Sequence, residues 1–231
     1  MKEITNPAAV EQAIIEGGLS ALFPEALRSK LVLCRFDVRE NICNQGETPT
    51  QLYILIKGKM KCYTTSEQGN TLILSFLTPP EVIGDIEFIQ GIPIMNTVEA
   101  VTPLEMIRVS YQAMHQFGMN HPPLLQFLLK IIGEKFQRKS SSLSFNLLHT
   151  AEARLAWYLL SNGFDEVDGE EAGMQVSSLK DTANLIGTSY RHVNRVLRRF
   201  IEDGLVKREK GMLTILDKER LRFIANEDSA D

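Results

Sequence analysis

The sequence predicts an α+β protein in three parts: an antiparallel β-roll of jelly-roll type, a long dimerisation helix and a winged helix-turn-helix domain. Three observations carry this expectation. Between Cys34 and Ser110, short apolar or alternating runs are separated by turn residues, the spacing of an antiparallel roll or barrel. From Pro122 to about Phe145, two apolar stripes share one helical stretch. From Ser178 to Glu202, SLKDTANLIGTSYRHVNRVLRRFIE reads as two helices joined by a tight turn. The expected boundaries are 1–120 for the roll, 121–148 for the long helix and 149–231 for the winged domain.

Taken in order, residues Pro7 to about Leu31 read as short helices, with Pro7 near one start and Pro24 opening another. The strand-like runs that follow include CRFDVREN, QLYILIKG, KMKCYTTS, TLILSFL, VIGDI, GIPIMN, TVEAV and TPLEMIRVS. Glu67-Gln68-Gly69-Asn70 lies between two of them as a hairpin turn. After the roll, Leu125, Leu129, Ile132 and Phe136 alternate by four and three residues and continue to Lys139 and Leu143, the seam of a two-stranded coil. Leu124, Leu128 and Ile131 form a second stripe suited to packing on the chain's own roll. A helix apolar on two sides between two domains is what a dimer interface requires.

The winged domain begins with a helix over TAEARLAWYLLSNG, with Ala153, Ala156, Trp157 and Leu160 as its packing stripe and Gly163 as its stop. An acidic loop, Asp165 to Glu171, leads to a short strand at Met174 to Val176. Ser178 and Asp181 have capping-box spacing, and Leu179, Ala183 and Ile186 share one face of the next helix. Gly187 turns the chain, and Thr188 or Ser189 caps the second helix. That helix has a buried stripe of Val193, Val196, Leu197, Phe200 and Ile201. Tyr190, Arg191, Asn194, Arg195 and Arg198 lie opposite. Arg and Asn there suit bidentate bonds to guanine and adenine edges in a major groove. LVKR and MLTIL flank Glu209-Lys210-Gly211 as a two-stranded wing, with Lys207 and Lys210 placed for phosphates, and a short helix follows Asp217.

Bulk composition fits this plan. The 231 residues carry a net charge of −4, yet from Ser178 to Phe223 eleven Lys and Arg stand against six Asp and Glu, a local +5. The acidic excess lies upstream, as expected for a basic binding module behind an acidic sensor. Three cysteines, Cys34, Cys43 and Cys62, lack Cys-x-x-Cys spacing, which points to thiols in a reducing cytoplasm. The first residues have no apolar secretory core, and no apolar run reaches the ~18–20 residues of a membrane span. The expectation is a soluble cytoplasmic protein without a membrane partner.

Gly46, Tyr53, Leu55, Gly58, Gly69 and Gly84-Asp85 together resemble the jelly roll of cyclic-nucleotide-binding domains. With the helix-turn-helix behind it, the chain is identified as a member of the cyclic-AMP receptor protein/FNR superfamily of bacterial transcription regulators. Gly84 to Ile89 and Gly187 to His192 look most like its YeiL branch. The resemblance implies a homodimer on double-stranded DNA, RNA polymerase as a partner, and base-edge readers at Tyr190, Arg191, Asn194 and Arg195. The family's usual Arg-Glu-x-x-x-Arg stands here as Tyr190-Arg191-His192-Val193-Asn194-Arg195, so only Arg195 keeps its type. Ser178, Thr188, Ser189, Arg198, Lys207 and Lys210 complete the expected DNA contacts.

The effector segment departs from the pattern. Gly84-Asp85 matches the pair that holds the ribose, and with Ile86, Asn96 and Thr97 it defines the candidate effector site. Where the family has Arg-Ser for the cyclic phosphate, this chain has Ile94-Met95-Asn96-Thr97. No Lys or Arg lies between Lys61 and Arg108, whereas Glu67, Glu81, Asp85, Glu87, Glu99 and Glu105 do. Burying a phosphate there would cost several kcal/mol unless Lys59, Lys61 or Arg108 reached in. The expected effector is an unknown small molecule, not a cyclic nucleotide. An iron–sulfur cluster usually takes four thiolates, and haem would need an axial ligand such as His115, His121 or His149; neither has a supporting motif. A Cys34–Cys43 redox pair depends on geometry. A roll-regulated enzyme or channel fragment and a protein-binding winged helix are the rival readings. No nucleophile–base pair, metal-ligand spacing or phosphate-cradling loop supports an enzyme.

Overall fold

The computed structural model describes residues 1–69, 71–162, 174–175, 179–209 and 212–226. Packing divides the chain into two compact units, Met1–Gln137 and Arg138–Asp231.

In the first unit, Asn6 accepts a bond from Ala8 N–H and starts α1 (Pro7–Glu16), with Pro7 at the first helical position, where its missing N–H is not needed. Pro24 precedes α2 (Glu25–Arg28). The strands are β1 (Lys2–Ile4), β2 (Val32–Phe36), β3 (Asn41–Cys43), β4 (Gln51–Lys57), β5 (Met60–Thr65), β6 (Thr71–Leu77), β7 (Glu81–Ile83), β8 (Thr97–Ala100) and β9 (Leu104–Ser110). They form a five-stranded sheet in the order β1-β2-β9-β4-β7 and a four-stranded sheet in the order β3-β8-β5-β6, paired antiparallel. The expected roll is therefore present. Gly69 N–H closes the β5–β6 turn on Ser66 C=O, while Asn70 lies outside the described residues.

Strand periodicity sorts the side chains of the larger sheet. Leu55, Leu104 and Met106 meet Met60, Leu77 and Val98 of the other sheet in one core. Leu52, Ile54, Ile107 and Val109 point the other way, onto Val10, Ile14 and Leu27 of the helices. Two runs read as strands are not. Of VIGDI only Val82 and Ile83 are extended, as the end of β7; Gly84 then adopts φ +88 and α3 (Asp85–Gln90) begins. GIPIMN pairs with no strand beyond a contact of Ile94 with Glu47 and Gly46. Conversely β1 pairs with β2 although its short, charged sequence gave no strand signal. Tyr111–Ala113 (α4) runs into a π-helical turn, Met114–Gly118, and α5 spans Pro122–Leu148. Leu124, Leu128 and Ile131 bury on the roll side as expected.

The second unit contains α6 (Ala151–Asn162), β10 (Met174–Gln175), α7 (Leu179–Leu185), α8 (Tyr190–Glu202), β11 (Val206–Glu209), β12 (Met212–Ile215) and α9 (Lys218–Asn226). Leu155, Leu159, Leu179, Ala183, Ile186, Val193, Val196, Leu197, Phe200 and Leu213 make its core. The wing is a three-stranded sheet, β10-β12-β11, not a two-stranded one, because Met174 and Gln175 pair with Leu213 and Met212. The stripe expected on α6 is also shifted: Ala153 and Ala156 are buried, but Trp157 is exposed and Leu155, Tyr158 and Leu159 are buried instead. Gly163, the acidic loop and Val176 lie outside the described residues.

Candidate nucleic-acid interface and effector site

The interface is built on α8. Gly187 ends α7 at φ +64, a conformation that L side chains rarely adopt. Arg154, from α6, donates to Ile186 C=O at 2.6 Å, meeting one of the carbonyls a helix end leaves unpaired. Of the two expected caps, Ser189 is the one: its backbone is extended and its Oγ accepts from His192 N–H at 3.1 Å. Thr188 is half-buried beside it.

Below α8, Val193, Val196, Leu197 and Phe200 are buried. Ile201 is 37% exposed, because it lies at the edge of the stripe where the last turn leaves the core. Above, Tyr190, Arg191, Arg195 and Arg198 are exposed and Asn194 is half-buried. Asn194 Nδ2 donates to Tyr190 C=O at 3.0 Å, and Arg195 Nη2 lies 3.3 Å from His192 Nε2. Arg199 turns to Glu152 on α6, at 3.0 Å. On the wing, Lys207 is exposed and pairs with Glu209 at 2.8 Å. An exposed pair of this kind is worth ~0–1 kcal/mol, so Lys207 can exchange it for a phosphate. Ser178 and Lys210 fall outside the described residues.

In the first unit, Gly84 and Asp85 stand at the start of α3. A Cβ at Gly84 would lie 2.7 Å from Gln51 C=O and 2.9 Å from Tyr111 Oη, so the close approach and the positive φ both require glycine. Tyr111 Oη donates to Gly84 C=O at 2.6 Å, and its ring packs edge-on against Phe88. Asp85 is buried, and both its oxygens accept from Lys135 Nζ at 2.8 Å. The same ammonium reaches Glu81 at 3.4 Å and donates to Val82 C=O at 2.5 Å. Lys135 thus extends the stripe Leu124, Leu128, Ile131 by one more step of four. No local pattern signals this contact, since Lys135 lies fifty residues from Asp85 and outside the stretch between Lys61 and Arg108.

That interval is therefore acidic in sequence but not uncompensated in space. Lys61 meets Glu99 at 3.1 Å, Arg35 meets Glu105 at 2.7 Å, and Lys135 meets Glu81 and Asp85. The cations considered for a phosphate are engaged as well. Arg108 clasps Glu3 through two bonds, 2.6 and 3.1 Å, and Lys59 lies 5.2 Å above the Phe76 ring. Glu87 is buried and accepts from Met95 N–H at 3.2 Å. Thr97 is buried and accepts from Gln45 N–H at 3.1 Å, while Asn96 contributes its C=O to Cys43 Sγ at 3.7 Å. Ile86 and Asn96 are half-buried.

The three cysteines, far apart in sequence, gather in the same core. Cys43 and Cys62 flank Val98 as its partners on either side of β8, and Cys34 comes from the opposite sheet. Neighbouring strands lie about 4.8 Å apart, so the thiols across β8 are separated by an intervening strand, too far for a disulfide. Burial pushes the Cys43 thiol up to about 12 and raises that of Cys34. Protonated thiols are poor ligands and poor nucleophiles. Among the described residues, no three His, Cys, Asp or Glu side chains come together in a metal-holding arrangement. The residues present do not fit an iron–sulfur cluster. Of the haem candidates, His115 packs on Phe88 and His149 on Phe145.

On α5, Leu129 and Phe136 are exposed, at 68% and 75%, and Leu125 and Ile132 are half-buried. These four form a neighbouring face, about a quarter turn round the helix from Leu124, Leu128 and Ile131.

Comparison with known proteins gives the class first. Residues 33–121 match the cyclic nucleotide-binding domain, and residues 153–224 match the Crp-like helix-turn-helix domain. The chain belongs to the CRP/FNR superfamily and is a DNA-binding transcription regulator. Among its relatives is the regulatory protein YeiL of Escherichia coli, 28% identical over 84% of this chain and 86% of that one. Another is the CRP-like cAMP-activated global transcriptional regulator of Mycobacterium tuberculosis, 23% identical over 96% of this chain and 98% of that one. A CRP/FNR-family regulator from Thermus thermophilus shares the fold at a TM-score of 0.71 and 18% identity, over 84% of this chain and 98% of its own.

Proposed function

We propose that the protein is a homodimeric regulator that reads a palindromic operator through α8 and is not switched by a cyclic nucleotide. The observation that carries the DNA reading is the two-sided character of α8: four buried apolar residues fix the helix, and Tyr190, Arg191, Arg195 and Arg198 stand exposed opposite them. Arg195 is suited to a guanine edge, and Arg191, where the family has Glu, adds a second guanine-directed donor. Residues 1–120 act as sensor, 121–148 as dimerisation helix and 149–231 as DNA-binding domain. RNA polymerase as a partner and a cytoplasmic location are inferred by analogy with the family. Among the described residues no helix is long and apolar enough to cross a membrane.

The dimer reading rests on Leu129 and Phe136, large apolar groups held at the surface in register with Leu125 and Ile132. Ile132→Glu places a charge in that seam without a partner and gives a monomer by light scattering. Palindrome binding then falls, because paired recognition helices must sit roughly 34 Å apart. A variant that stays dimeric removes α5 from the interface.

The effector reading rests on Asp85, whose two oxygens are taken by Lys135, and on the engagement of Lys61 and Arg108 by Glu99 and Glu3. A phosphate has no guanidinium where the family pattern places one. Calorimetry with cyclic AMP and cyclic GMP yields no saturable heat, and neither changes DNA affinity. Micromolar binding that tightened DNA affinity would overturn this, since a ligand shifts an equilibrium only by its differential affinity for the two states.

A further inference from the structure

Within the face of α8 that meets DNA, one side chain has no assigned role. His192 is half-buried in the first turn, where Ser189 Oγ holds its backbone N–H, and its Nε2 lies 3.3 Å from Arg195 Nη2. A guanidinium can only donate, so this contact is a hydrogen bond in the tautomer whose Nε2 accepts. The spacing is three residues, at which helical side chains meet. We infer that His192 is a positioning residue for the base reader Arg195: its imidazole Nε2 orients the guanidinium before DNA arrives. This rests on the reading of Arg195 as a base-edge contact.

The geometry leaves the guanidinium competent. The imidazole accepts one of its five N–H groups, and four remain for a guanine O6/N7 edge. Arg has a long, rotamer-rich side chain, and its freedom is lost when it docks on a base. A contact already made in the unbound protein removes part of that loss and so favours the operator over other sequences. Tyr190 and Asn194 make a parallel pair one face over, through the Asn194 amide and the Tyr190 carbonyl. Arg199, the next guanidinium on the helix to make a contact, is directed to Glu152 instead. The exposed face of α8 is thus partly arranged in advance, and His192 is the acceptor that arranges Arg195.

The test uses the full-length protein and an operator recovered from a random duplex library. Affinities are measured for that operator, for single-base variants and for random duplex. His192→Ala reduces discrimination at the base pair read by Arg195 by about two- to tenfold, the range of one net hydrogen bond. Affinity for random duplex and the thermal midpoint stay unchanged. His192→Gln, whose Oε1 can accept, restores most of the discrimination. His192→Ala combined with Arg195→Ala is no worse than Arg195→Ala alone. Equal losses on operator and random duplex, or full additivity of the two substitutions, would overturn the positioning role and leave Arg195 as a reader. If Arg195→Ala itself left discrimination intact, the base-reader assignment would fail and this inference with it.

Discussion

The two units treat charge in opposite ways. The roll takes it inside: among its described residues Glu81, Asp85 and Glu87 are buried, and Lys135 is drawn in to meet two of the carboxylates. In the winged unit, Thr182 is the one buried polar residue among those described, and the arginines of α8 stay at the surface over an apolar stripe. The difference shows where each unit's chemistry is decided. A DNA-binding face is set by what one helix turns outward. A sensor is set by which buried charges find each other across the fold.

The contrast is broken most sharply at Lys135. Lys135→Met leaves the Asp85 carboxylate buried without the ammonium that both its oxygens bind, and denaturant unfolding shows a loss of about 3–5 kcal/mol. Hydrogen exchange places the loss in Met1–Gln137. Adding Asp85→Asn returns most of it, because the buried charge that Lys135 met is then gone. An unchanged midpoint for Lys135→Met would mean that the two units do not differ in this way. Arg195→Ala sharpens the other side: stability is unchanged, while discrimination between operator and random duplex drops by ~1–3 kcal/mol. The smallest effect belongs to Arg199 and Glu152. Their pair is partly exposed, and a double-mutant cycle with Gln at each position gives a coupling of ~0.2–1 kcal/mol.

The same contrast explains what the sequence disclosed. Everything needed to recognise α7 and α8 lies within two dozen residues: the turn glycine at 187, a Ser cap at 189 and one apolar stripe. Those are short-range rules, and they failed only at margins such as Ile201, where a stripe runs off the core. The strands of the roll were legible for the same reason, through alternation and turns. Its site was not. Asp85 was visible as a family position, but its partner is on α5, fifty residues later, and Lys135 has the local look of an ordinary surface lysine. Glu3 on Arg108 is a still longer reach, and β1 itself is too short and too charged to be recognised without its neighbour β2. The cysteines repeat the lesson, since their spacing in sequence says nothing of Cys43 and Cys62 flanking Val98.

The ion cluster at Lys135 also limits how this chain can drift. Asp85 opens α3, Glu81 ends in the roll's interior, and Lys135 sits among residues that pack α5 on the roll, so three separate segments share one charge balance. A lineage that lost Lys135 first would pass through a roll in which buried Asp85 has lost the ammonium both its oxygens bind, and one that lost Asp85 first would leave that ammonium without its closest carboxylate. The accessible routes are those in which neutralising changes at 81 or 85 and at 135 arrive nearly together. Positions 85 and 135 should therefore be inherited as a pair, whereas the outward residues of α8 can change one at a time and carry the protein to new operators.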